Sequence, residues 1–571
     1  MRFSEIPYER PDQQELLQQI QHLEQQVQSA DSAEALLSIL KEMDQLQRHI
    51  RTLQALVHIR FTQDVRSEFW KNEKIFWEQL LPELAEKQRQ LLAALVEHPQ
   101  RSAVEQQVGE RLFQGYEISL QTFDPSIKPL LLQIVALERR YTELTGSLLI
   151  TFRGNQYTMS QIQPFLQDPD RETRKAAAEA LWNALGNLAA ELDTIYDQLV
   201  KLRHQKARKL GFDSYIQLRY LELFRTDYTP EDVAQLRKVI RETVVPIVQQ
   251  LRQEQQQWLN LDHLRIYDEA LLFPSGNPQP KGDPEWILQQ AKTMYARLSD
   301  ETARLMTHLV EDEFLDVLSR PGKASGGYCA YLPDYRSPFI FANFNGTIDD
   351  VRVLTHEFGH AFQQDQSSTQ PFLAYMSPTL ETAEIHSMGM EFLTYPWMDL
   401  FFGDEVEKFY TQHLFAAVSF LCYAAAVDEF QHRIYEQPEM SPQQRLAVWQ
   451  EMEKQYLPWR DNAGIAPLEQ GRFWQRQLHI YRAPFYYIDY ALAQLCAFQI
   501  WLQSRRSYAE TFQQYRTLCQ LGGRYSFVQT LQTVGLSSPF DPQVVRQTIT
   551  EVVALLRTLI EQVIPSASTV A

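Results

Sequence analysis

The chain has 571 residues and carries 54 Lys and Arg against 72 Asp and Glu, a formal net charge of −18. That acidic balance excludes a general nucleic-acid binder, which needs a basic surface. With 44% hydrophobic and 22% charged residues, the chain has globular proportions and can bury a sizeable core. Cys329, Cys422, Cys496 and Cys519 are far apart and form no CxxC pair, so neither a cysteine-ligated zinc site nor a dense disulfide framework is expected. The first residues lack the apolar core of a signal peptide. The longest apolar run, Leu414 to Val427, is too short to span a bilayer and is followed by Asp428 and Glu429. These features predict a cytoplasmic protein with reduced thiols and neither nucleic-acid nor membrane partners.

Residues 10–110 are rich in Gln, Leu and Glu, with apolar residues at helical spacing: Leu16, Leu17, Ile20 and Leu23, then Leu36, Leu37 and Leu40. The heptad is not strict, and Trp70 and Trp77 suit a packed helical body better than a coiled-coil arm. Residues 148–159 predict a β-hairpin turning at Gly154-Asn155. Helical patterns resume near Asp168-Pro169-Asp170-Arg171. The stretch Phe273 to Pro280 is a Pro/Gly-rich loop. Two short strands are predicted at Tyr328–Tyr331 and Phe339–Phe344, and from there the pattern is helical to about residue 563. The fold class is mainly α, with a minor β element.

His356-Glu357-Phe358-Gly359-His360 is an HExxH pentad. Thr347 and Asp350 predict a capping box at the start of its helix. On that helix Val351, Leu354, Phe358, Ala361 and Phe362 share one face, and His356 and His360 lie opposite. Two imidazoles one turn apart can bind one zinc ion, and Glu357 beside them can take a proton from an attacking water. A plain solvent-facing helix would not combine the cap, the facial segregation and the intervening glutamate.

A catalytic zinc commonly has a third protein ligand. Ser377-Pro378 predicts an N-cap followed by proline at the first helical position. The helix it opens carries Glu381, Glu384, Met388 and Glu391 on one stripe. Glu384 is favoured as the ligand, with Glu381 or Glu391 steadying a ligand imidazole in its metal-binding tautomer. Spacing alone does not choose among the three. The segment His479-Ile480-Tyr481-Arg482-Ala483-Pro484-Phe485-Tyr486-Tyr487-Ile488-Asp489-Tyr490 is rich in groups that can donate to an oxyanion. If Pro484 opens a helix, Tyr490 shares a face with Tyr487 or with Tyr486. His386 points away from Glu384, and the cysteines lack a neighbouring base.

HEFGH, followed by Glu384-Ile385-His386-Ser387-Met388-Gly389-Met390-Glu391, resembles the oligoendopeptidase F and thimet oligopeptidase family of zinc metallopeptidases, with bacterial oligoendopeptidase F the closer match. Gln363 departs from the histidine often found after HExGH. The resemblance implies one zinc per chain, held by His356, His360 and Glu384. It implies Glu357 as general base, and His479 with a Tyr-x-x-Tyr pair, Tyr487 and Tyr490, at the oxyanion. It implies a large helical ellipsoid with a deep substrate channel, the β element lying near the zinc helix. The strand before that helix, at Phe341, Ala342 and Asn343, is expected either to be an edge that pairs with an extended peptide or to be buried as part of the core. The expected division is a helical N-terminal region, 1–195, and a zinc peptidase region, 196–571.

The expected activity is hydrolysis of internal bonds in short oligopeptides by a zinc-activated water. The alternatives are a metallocarboxypeptidase on a related helical HExxH scaffold, and a non-catalytic peptide-binding protein that keeps the metal site. Intact Glu357 speaks against the latter.

Overall fold

The computed structural model describes residues 1–564. It is built of helices, with one two-stranded and one three-stranded sheet among the described residues. Gln13–Ser29, Ala33–Gln63 and Glu68–Val96 begin on side-chain caps from Asp12, Ser32 and Ser67. Their apolar stripes meet in one cluster that includes Leu16, Ile20, Leu23, Leu36, Leu40 and Trp77. This is a packed body, as the tryptophans indicated.

The hairpin pairs β1 (Ile150–Phe152) with β2 (Asn155–Tyr157), and Phe152 lies opposite Asn155. The turn is therefore Arg153-Gly154, one residue earlier than expected. Both residues have positive φ, 50° and 82°, as a turn matched to the twist of the strands requires. After a short helix at Gln163–Leu166, the long helix Arg171–Lys209 runs unbroken through the division expected at 195/196, and buries Leu192, Ile195, Tyr196 and Leu199 in a single cluster.

The three-stranded sheet has β5 (Ser337–Phe344) at its centre. It lies parallel to β3 (Leu315–Leu318) on one side and antiparallel to β4 (Tyr328–Leu332) on the other. β3, too short to show a strand pattern in the sequence, makes β5 the central strand and not an edge. Phe341 and Ala342 are buried, and the Asn343 side chain donates to the carbonyls of Ala324 and Gly326. Phe341 and Ala342 are interior structure, and the half-buried Asn343 is engaged with the loop before β4. The strand that pairs on one side only, next to the HExxH helix, is β4.

The apolar segment at Leu414–Val427 lies in the central helix, Val406–Glu436. This helix is hydrophobic because protein surrounds it: Leu414, Val418, Leu421 and Ala424–Val427 are buried, and Asp428 is ion-paired with Arg237. The histidine helix (Asp349–Ser367), the carboxylate helix (Leu380–Leu393) and the tyrosine helix (Tyr487–Ser504) pack with it around one core.

Candidate active site

The histidine helix starts on a different device from the one its sequence suggested. Its N-cap, Ile348, supplies no side-chain bond. Asp350 reaches back past Thr347, and its two oxygens accept the N–H groups of Asn345 and Gly346, each at 2.8 Å. Burial pushes this carboxyl up to about 6, against the two backbone hydrogen bonds. Val351, Leu354, Phe358, Ala361 and Phe362 have no exposed surface, and Phe358 stacks on Tyr295 at 3.6 Å between ring centroids. Each large side chain on this face contributes about 2 kcal/mol of burial. That face locks the helix rotation, which leaves His356 and His360 half-buried on the other side.

Gly359 determines how close the next helix comes. A Cβ there would lie 2.5 Å from the His386 carbonyl oxygen and 2.7 Å from Ser387 Cα. The carboxylate helix crosses directly over this glycine. Thr379 is its N-cap, two residues later than Ser377, and the helix presents Glu384 to both imidazoles. Glu384 Oε2 is 3.3 Å from His356 Nε2 and 3.4 Å from His360 Nε2. One donor atom from each of the three residues falls within 4.8 Å of the others. Two imidazoles and a carboxylate converging at that distance fit one divalent cation.

The surroundings orient these donors. His356 Nδ1 donates to Glu391 Oε1 at 2.7 Å, leaving Nε2 to face Glu384. Glu391 Oε2 accepts from His413 Nε2 at 2.8 Å, and Tyr395 donates to His413 Nδ1 at 2.6 Å. Ser387 Oγ donates to Glu384 Oε2 at 2.8 Å. Burial by itself would raise the Glu384 carboxyl, but the imidazoles hold it well below the usual carboxylate range. Burial would lower His356, yet its bonds to Glu384 and Glu391 lift it to about 10. The site favours positive charge between its carboxylates. Glu381 lies elsewhere: Tyr228 donates to it, and Arg225 Nε is 3.7 Å away. One turn earlier on the same stripe, it steadies no imidazole among the described residues.

Glu357 is 5% exposed, and its Oε2 has no hydrogen-bond partner among the described residues. Burial raises its pKa. A Cβ on Gly327, just before β4, would come within 3.0 Å of Glu357 Oε1. Glycine there lets the strand pass beside this carboxylate. Burial and the neighbouring Glu357 push the Cys329 thiol well up, so no thiolate nucleophile forms there.

The tyrosine segment is displaced by one residue from its expected phase. Tyr486 donates to Glu384 Oε1. Tyr490 Oη lies 3.3 Å from His479 Nε2, and the Tyr486 and Tyr490 rings are 5.2 Å apart. Tyr487 turns toward the central helix, with its ring 5.6 Å from both Phe420 and Tyr423, though it also borders His479 at 5.1 Å. The hydroxyl reaching the metal-ligand cluster is that of Tyr486, four residues before Tyr490. Burial, then Glu384, keeps both phenols well above their ordinary pKa and so protonated. Burial holds His479 down at about 4. Gln477 Nε2 donates to its Nδ1 at 2.8 Å, which puts the imidazole proton on Nε2.

The geometry thus joins a potential metal site, an unpartnered buried carboxylate and a group of hydroxyl and imidazole donors. Residues 165–272 and 287–548 match the model of peptidase family M3, and residues 3–123 match the peptidase M3 N-terminal domain. The chain belongs to peptidase family M3. Oligopeptidase PepF of Bacillus subtilis (strain 168) is 22% identical to this M3 peptidase over 501 residues, 82% of this chain and 73% of that one. The chromosomal oligoendopeptidase F of Lactococcus lactis subsp. cremoris is 24% identical over 255 residues, 44% of this chain and 41% of that one. A solved structure of PZ peptidase A with an inhibitor superposes with a TM-score of 0.96 at 43% identity, covering 98% of this chain and 99% of that one. This M3 peptidase is therefore a peptide-bond hydrolase of mainly α fold, from a metallopeptidase family.

Several site residues had no local signal in the sequence. His413 and Tyr395 come from other elements and meet Glu391 only in the folded chain. The glycine within HEFGH could have been read as a helix-crossing point.

Proposed function

We propose that this M3 peptidase is a zinc oligoendopeptidase that cuts internal bonds of short peptides, with one zinc held by His356, His360 and Glu384. Glu357 carries the reading: its unpartnered carboxylate lies beside that donor set and beside the one-sided strand β4. Two imidazoles and a carboxylate favour zinc over harder cations. When bound, zinc supplies Lewis acidity toward the scissile carbonyl and toward water.

The remaining roles belong to the chain. An extended peptide adds to β4, which offers backbone pairing with little demand on side chains. Glu357 takes a proton from the attacking water and passes it to the leaving amine. Tyr486, Tyr490 and the Nε2–H of His479 donate to the oxygen on which negative charge develops. Both phenols stay protonated, and the Tyr486 hydroxyl, which rests on Glu384, has only to turn from that carboxylate to the substrate oxygen. A deep channel would admit an extended peptide and exclude a folded protein, so selection by size follows from shape. A cytoplasmic location completes the reading.

The test is mass spectrometry of products from mixed-length peptides with both termini blocked, with chelator and after zinc is restored. Internal cuts that vanish with chelator and return with zinc are expected. Trimming of free-ended controls alone would replace the endopeptidase with an exopeptidase. Glu357→Gln is expected to retain zinc and lose most turnover; full turnover in that variant would remove the general-base assignment.

A further inference from the structure

Phe485 has a left-handed backbone, φ +64°, and a fully buried side chain. A residue with a Cβ adopts that conformation only where its surroundings impose it. Three consecutive backbone groups are held here. Arg219 Nε donates to the Pro484 carbonyl at 3.2 Å, the Phe485 N–H donates to Gln431 Oε1 at 3.0 Å, and Arg225 Nη2 donates to the Phe485 carbonyl at 2.6 Å. The Phe485 ring packs against His432 at 4.7 Å and Tyr435 at 5.5 Å. The next residue is Tyr486, whose hydroxyl reaches Glu384.

Arg225 extends this hold to both neighbouring helices. The same Nη2 donates to Asp489, inside the tyrosine helix, and Nε lies 3.7 Å from Glu381 of the carboxylate helix. The Arg225, Glu381 and Asp489 side chains are at most 1% exposed. Apolar packing would join two helices as well as a buried polar cluster around a guanidinium does, without its desolvation cost. A guanidinium with directed donors adds a fixed orientation.

We propose that Arg225 and Gln431 are positioning residues: they hold the Phe485 turn left-handed, and so keep Tyr486 on Glu384 and Tyr490 beside His479. They act through the tyrosines, and the inference rests on the role given to those hydroxyls above. A relaxed turn would rotate the start of the tyrosine helix and swing Tyr486 away while leaving the metal donors in place.

The test is a double-mutant cycle in the full-length, zinc-loaded protein, using Gln431→Met, Tyr486→Phe and the pair. The Met side chain nearly preserves volume but cannot bind the Phe485 N–H as the amide oxygen does. Gln431→Met is expected to lower kcat by ~10-fold or more with KM within about twofold. In the Tyr486→Phe background the same change is expected to cost little more. A crystal structure of Gln431→Met is expected to show Phe485 out of the left-handed region and Tyr486 off Glu384. Equal losses of kcat in both backgrounds would mark Gln431 as merely structural and overturn the proposal. So would a structure with Tyr486 still on Glu384. If Tyr486→Phe alone leaves kcat intact while Glu357→Gln abolishes turnover, the role of the tyrosine falls, and the crystal structure then decides the positioning claim by itself. Arg225→Lys is the harsher companion, expected to lose more kcat than Gln431→Met; should it fail to fold, the Gln431 cycle stands alone.

Discussion

His356 Nδ1 lies 2.7 Å from Glu391 Oε1, and this contact ties the first imidazole of HExxH to a helix that also carries Glu384. The imidazole thereby presents Nε2 to the donor cluster. A carboxylate partner also makes that nitrogen a stronger ligand.

Glu391→Gln tests the relationship. Glutamine keeps the shape but has only one accepting oxygen, whereas Glu391 accepts from both His356 and His413. Zinc affinity is expected to fall by ~10- to 100-fold, read by competition with a chromogenic chelator. Unchanged affinity would show that the contact does not orient the ligand.

The neighbouring tyrosines separate two readings of one segment. Tyr486→Phe is expected to lower kcat by ~100-fold, the scale of losing one donor to an oxyanion. Tyr487→Phe is expected to leave kcat within a few-fold, since its ring borders Phe420 and Tyr423. Steady-state kinetics on a blocked peptide decides between them; the reverse ranking would restore Tyr487 to the oxyanion.

Gly359→Ala tests the helix crossing. The added Cβ would meet backbone of the carboxylate helix at 2.5–3.0 Å, and backbone gives way poorly. The expected cost is ~1–3 kcal/mol of stability, with weaker zinc binding as Glu384 is pushed from the imidazoles. Thermal unfolding and bound-metal analysis read the two effects. A variant of normal stability and zinc content would show that the crossing is not tight.

Asp350 gives a pH dependence of defined sign. Its folded pKa, about 6, lies above its ordinary 3.8. The folded state therefore holds the proton more tightly than the unfolded state does. The resulting stability is fully present below about pH 4 and is lost as pH rises through about 6, roughly 3 kcal/mol at most. Asp350→Asn removes that titration and leaves one of the Asn345 and Gly346 N–H groups without an acceptor. Urea unfolding at pH 4, 5, 6 and 7 is expected to show the deficit of the variant shrinking as pH rises. A deficit constant with pH would mean that Asp350 titrates normally.

The histidine helix was legible because its chemistry and its packing repeat with one local period. The apolar set Val351, Leu354, Phe358, Ala361 and Phe362 forced His356 and His360 to the other face. The place of β5 in its sheet and the tyrosine that contacts Glu384 were not legible, for non-local reasons. Whether β5 is an edge depends on β3, whose four residues gave too short a pattern to recognise. Whether Tyr486 or Tyr487 faces Glu384 depends on the Phe485 turn, which is held by Gln431 and Arg225, far away in the chain.

The sequence by itself determined the helical class, the HExxH pair and the set of carboxylates able to complete it. Those features rest on side-chain type and on a period of 3.6 residues, both readable along the chain. Tertiary structure alone decided which carboxylate meets both imidazoles, which tyrosine reaches that carboxylate and which strand has an open side. Those outcomes follow from how closely two helices cross at Gly359, how one strained turn is held and which strand inserts beside β5. Each is a contact between residues distant in sequence, where local spacing carries no information.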